Sequence, residues 1–161
     1  MASDSIQEPP SLTWPSKIYR LIASSLWVFW LGGVTFYIAI VVPVGGEVLG
    51  ADVQGQVTER VTWYINLMSA LVTVQLAVEW FALRSRWMAV AFFIQLISVI
   101  ILVVLHGDLA RMMQGNPSSL KADADFYTLH RIYLWVSTAQ WLNAILLHFR
   151  FYALSWRKSR V

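Results

Sequence analysis

From Leu21 to Gly46 the chain runs without one formal charge, and three comparable stretches follow. Val61 to Leu83 is interrupted by Glu79 alone, and neither Trp87 to Gly107 nor Ile132 to Phe149 carries a formal charge. A helix needs about 20 apolar residues to cross the roughly 30 Å hydrocarbon core of a bilayer. Four segments meet that length. A 161-residue chain cannot hide four long apolar helices from water in one core, and a hydrophobic content of 58% against 13% charged residues points the same way. Runs such as VAFFIQLISVIILVVL are apolar on every side, whereas barrel strands alternate. The expected fold class is all-α, an integral membrane antiparallel four-helix bundle with spans at about 18–42, 61–83, 87–106 and 128–150. A flexible cytoplasmic leader (1–16) precedes the membrane domain (17–154), and a basic cytoplasmic tail (155–161) follows it.

With four spans, Lys17, Arg20, Arg84, Arg86, Arg150, Arg157, Lys158 and Arg160 share one side. Arg60, Arg111, Lys121 and Arg131 lie on the other, among six acids. The positive-inside rule then places both termini in the cytoplasm of a multi-pass cell-membrane protein. The net charge of +3 therefore reads as a topology signal rather than a nucleic-acid surface. Trp14, Tyr19, Trp87, Tyr152 and Trp156 are expected at the inner interface, and Tyr37, Trp63, Tyr64, Tyr127 and Tyr133 at the outer one. Trp27, Trp30 and Trp141 lie deeper, as packing residues.

Along helix one, Ser25, Gly32 and Ala39 recur every seven residues and define an expected packing stripe. Pro43 is expected to end that span. A glycine-rich outer loop should follow, with Asp52 as the cap of helix two. Arg84-Ser85-Arg86 forces a hairpin between helices two and three. After Asp108, the spacing of Leu109, Met112 and Met113 suggests one or two interfacial turns stopped by Gly115-Asn116-Pro117, and helix four starts near Asp123 or Asp125.

Glu79 is the one formal charge inside a span and lies near the inner interface, with Gln75 a turn away and His148 or Arg150 as expected partners on helix four. Asn66, Ser69, Thr73, Gln95, Ser98, Thr138, Gln140 and Asn143 are expected to form hydrogen bonds between helices. His106 and His130 flank a loop containing Asp108, Met112, Met113, Asp123 and Asp125, where a copper or zinc ion or a b-type haem is conceivable. Capping and solvation explain the same residues, so the reading includes no cofactor. Zero cysteines remove thiolate sites and disulfides. Nucleophile, base and orienting group do not converge, so no enzyme activity is expected.

With helix one reading FWLGGVTFYIAIVVPVG and helix four opening FYTLHRIYLWVS, the chain resembles small bacterial members of a four-helix family that includes the eukaryotic transmembrane protein 205. Gly32-Gly33 followed by Pro43, and Phe126 four residues before His130, carry the resemblance. Arg131 and Val136 depart from it where family members often place Gly or Ser and an asparagine. The resemblance implies four membrane helices and no established enzyme activity. It also implies, for the eukaryotic member, an association with tolerance of platinum drugs. Three roles follow in order of preference: a non-catalytic accessory or assembly subunit, a small ion or metal transport or tolerance protein, and a haem or copper electron-transfer subunit. Partners are the lipid bilayer and other membrane subunits or further copies of the chain, and no nucleic acid.

Overall fold

A computed structural model describes residues 14–115 and 124–158, all of them helical apart from the short junctions. The first rod comprises α1 (Trp14–Phe36), a π-helical turn (Tyr37–Val41) and α2 (Val42–Leu49). It is followed by α3 (Ala51–Leu83), α4 (Arg86–Gly115) and α5 (Ala124–Lys158). Most of the leader, residues 1–13, lies outside the described residues, as do Asn116, Pro117, Asp123 and the last three residues of the tail.

Pro43 does not end the first rod, contrary to its expected role. A proline ring inside an α-helix strikes the carbonyl four residues back and leaves it without a donor. Here the preceding turn is widened: Val42 N–H bonds to Tyr37 O, five residues back. The extra residue in that turn relieves the clash, and the helix continues to Leu49. Gly50, at φ 78°, makes the reversal, a backbone conformation that other side chains resist. Asp52 consequently sits inside the first turn of α3 instead of capping it, where its charge favours the helix N-terminus.

Arg84 and Ser85 alone connect α3 to α4, with Arg84 left-handed and its N–H bonded to Trp80 O at 2.8 Å. At the other end, α4 runs unbroken through Asp108, Leu109, Met112 and Met113 to Gly115. The turns expected at an interface are thus the continuation of one helix.

Cross-contacts fix the packing. Tyr37 meets Thr58, Thr62 meets His106, Ala91 meets Asn143, and Thr35 meets Trp141. Each pairing joins antiparallel neighbours, in the order first rod, α3, α4, α5 and back to the first rod. The face of the first rod that packs is Ala23, Trp30, Val34 and Tyr37. Ser25, Gly32 and Ala39 are exposed, and Gly32 has open space around it. The small-residue stripe is therefore not the packing face within this chain. Bulky side chains fill the gap between α1 and its neighbours, Trp30 with Val34, Val72 and Ala144 in one buried cluster. Leu76, Met88, Ala91 and Leu147 form a second, beside Trp80 and Phe92.

Among the described residues, three helical stretches are long and apolar enough to cross a membrane: Leu21–Leu49, Asp52–Ala82 and Arg86–Met113. The fourth expected span falls on α5, whose composition is more polar. Its polar side chains Gln140 and Asn143 point inward or lie half-buried, while Ile132, Leu134, Trp135, Leu142, Leu146 and Phe149 are exposed.

Candidate functional site: a polar seam along α3

On α3, Gln54, Thr58, Thr62, Asn66, Ser69 and Thr73 follow one another at intervals of three or four residues, which puts them on one face. That face points toward the neighbouring helices: Gln54, Asn66, Ser69 and Thr73 are buried, and Thr58 and Thr62 half-buried. Buried hydroxyls and amides need partners, and the neighbouring helices supply them. Tyr37 donates its phenol O–H to Thr58 Oγ1 at 2.9 Å, and Gln54 Nε2 donates to the same oxygen at 3.3 Å. Thr62 Oγ1 bonds back to Thr58 O at 2.7 Å and lies 3.3 Å from His106 Nδ1. Tyr133 donates to Asn66 Oδ1 at 3.2 Å.

One turn deeper, three helices meet at Ser69. Gln140 Nε2 of α5 donates to Ser69 Oγ at 2.6 Å, and Gln95 Nε2 of α4 donates to the same oxygen at 3.3 Å. Ser69 and Gln95 are fully buried, and Gln140 is 3% exposed. Beyond them Thr73 bonds within its own helix, to Ser69 O, and the apolar clusters close the interior.

The other singled-out residues are scattered. Glu79 finds neither His148 nor Gln75; the neighbour it acts on is Tyr19 of the first rod. Tyr19 precedes the apolar stretch Leu21–Leu49, and its phenol pKa is raised first by burial, then by the charge and hydrogen bond of Glu79. With its amide turned so that each atom has a complementary partner, Gln75 donates to Ala23 O at 3.1 Å and accepts from Trp27 Nε1 at 3.2 Å. His148 is exposed and lines a shallow cleft with Trp27, Val28, Leu31 and Gly32. Asn143 Nδ2 donates to Ala91 O at 3.1 Å. Thr138 is exposed and bonds to Leu134 O of its own helix, so it does not join the interior.

At the opposite end, His106 is engaged with Thr62, and the His130 ring stacks parallel to Phe126, centroids 6.1 Å apart. Asp108 forms an exposed ion pair with Arg111 at 2.8 Å. Met113 extends toward Gly55 of α3, while Met112 is half-buried. Among the described residues no three His, Asp or Glu side chains converge as metal ligands. Tyr37 and Tyr133, expected in the outer aromatic belt, belong instead to the interior seam, whereas Trp63, Tyr64 and Tyr127 are exposed.

The reading from sequence missed Gln54, Thr58 and Thr62 because each was taken with its flanking loop or apolar run. Their four-residue spacing, continued by Asn66, was the signal. Comparison with protein-family models, curated proteins and solved structures gives no match.

Proposed function

We propose that this chain is an integral membrane protein whose four helices stand across the bilayer as an antiparallel bundle, with both termini cytoplasmic, and that it serves as a non-catalytic accessory or assembly subunit. The observation that carries the membrane reading is the inverted distribution of polarity. Phe29 and Trp135 are each 70% exposed and Leu146 is 69% exposed, while Ser69 and Gln95 are sealed inside. In water that arrangement exposes a large apolar surface and buries hydrogen-bonding groups. In hydrocarbon it is the favourable one, since lipid covers the outer face and polar groups satisfy one another within. The same outward residues extend the reading to α5.

A subunit role is supported by the first rod. Its outward face has exposed Ser25, Gly32 and Ala39 and no neighbouring atoms against Gly32 or Gly33, leaving room for close approach by a helix of another chain. Resemblance to the transmembrane protein 205-like family is compatible with this role. Extraction with alkaline carbonate should leave the chain in the membrane pellet, and purification in mild detergent should bring partner subunits with it. Release into the carbonate supernatant overturns the membrane reading; migration as a lone monomer overturns the subunit role.

A second reading, handling of ions or protons, is favoured by the ionisable Glu79 beside Tyr19 at the Arg84 end of the bundle. It requires that Glu79→Gln lower proton or cation flux in proteoliposomes.

A further inference from the structure

The seam along α3 contains an interruption whose two sides are complementary. Toward the Gln54 end, hydroxyls and phenols link Gln54, Thr58 and Tyr37, and Tyr133 is bound to Asn66. On the other side, Ser69 gathers Gln95 and Gln140. Among the described residues no hydrogen bond joins Asn66 to the Ser69 group, although the two positions lie only about 4.5 Å apart along the helix axis.

Each side of the interruption holds a buried atom without a partner: Asn66 Nδ2, a donor, and Gln95 Oε1, an acceptor. Asn66 is 5% exposed and Gln95 fully buried, so bulk solvent does not serve either atom. A third unpaired atom, the donor Trp30 Nε1, sits in the apolar cluster with Val34 and Val72 and offers no such pairing. Buried polar groups that lack a protein partner are the usual hosts of internal water, which accepts from one and donates to the other.

We infer that α3, α4 and α5 enclose a binding site for a neutral molecule of water's size, bounded by Asn66 Nδ2 and Gln95 Oε1 and approached along the Gln54 amide and the Thr58 and Thr62 hydroxyls. The class of occupant follows from the lining. Asn66, Ser69, Gln95 and Gln140 carry no charge, and Asn66 and Gln95 present opposite hydrogen-bonding sense, so the site suits a group that donates and accepts at once. An ion would find no counter-charge there. On the Val72 and Leu76 side the apolar layer makes the path blind, so occupancy is binding rather than conduction. The site depends on the interior geometry and not on which end faces the cytoplasm.

Water itself is the probe. In the full chain embedded in lipid nanodiscs, side-chain amide exchange with D2O is followed by NMR at Asn66 and at Asn143, whose Nδ2 is already bonded to Ala91 O. Exchange at Asn66 is expected to be roughly tenfold faster than at Asn143, with water cross-peaks at Asn66 and Gln95. In Gln95→Leu, which removes the acceptor, the Asn66 cross-peak to water should disappear. Wild-type Asn66 exchanging as slowly as Asn143, without a water cross-peak, overturns the site even if the Gln95 variant fails to fold. Carbonate extraction tests the membrane reading separately.

Discussion

From Gln54 to Ser69 the inner face of α3 meets its neighbours through hydroxyls and amides, whereas at Val72 and Leu76 the same face meets them through methyl groups. The helix is continuous across the change, so the difference lies in side chains alone. The apolar half gains its stability from dispersion and close packing, which tolerate no missing volume. The polar half depends on direction, because each hydrogen bond left unmade inside costs more than a bond formed contributes. One half sets how tightly the helices stand, the other which rotation each adopts.

The comparison can be broken by exchanging what each half relies on. Leu76→Ala, at a side chain 1% exposed between α4 and α5 neighbours, should cost the most, about 2 to 5 kcal/mol, read as lower thermal stability in detergent. Ser69→Ala removes less volume yet strands the Gln95 and Gln140 donors, at about 1 to 3 kcal/mol. If it costs less than any single methyl removed from the apolar half, the two regions do not differ as described. Asn143→Ala should cost about 0.6 kcal/mol, the usual worth of one interhelical bond in a membrane protein.

The smallest effect sharpens the comparison at the charged end. Because burial and Glu79 raise the Tyr19 pKa in the folded state, the stability it contributes is fully present below the unfolded phenol pKa and is lost as pH rises through the folded value. Stability measured above about pH 10 should therefore fall in the wild type, and Tyr19→Phe should remove that part of the fall. An unchanged alkaline profile in Tyr19→Phe removes the phenol from the Glu79 contact.

Charge spacing made the apolar stretches legible, since an uncharged run needs no knowledge of neighbours. Their ends were less so. Pro43 reads as a stop in one dimension, yet a single widened turn absorbs it. On the first rod, the small residues Ser25, Gly32 and Ala39 and the bulky ones Trp30, Val34 and Tyr37 each form a helical stripe, and spacing reveals which residues share a face but not which face meets another helix. Glu79 illustrates the same limit: depth was read from its distance to Arg84, but its partner Tyr19 depended on how the first rod is rotated. The site was partly visible in Asn66, Ser69, Gln95 and Gln140. Of its other half, Gln54 and Thr58 lie in the polar stretch before Val61, and Thr62 stands at the very edge of the apolar run, where a lone hydroxyl gives no sign of facing inward.

Passing through Pro43 makes the first rod as long as its neighbours. At about 1.5 Å per residue, Leu21–Leu49 extends roughly 43 Å, well beyond an average hydrocarbon core. Rods of that length either lean or project, and the energetic cost of standing upright falls as the surrounding bilayer thickens. Under the proposed membrane reading, the unbroken helix would favour thicker membranes or lift a collar around Gly50 above the headgroups.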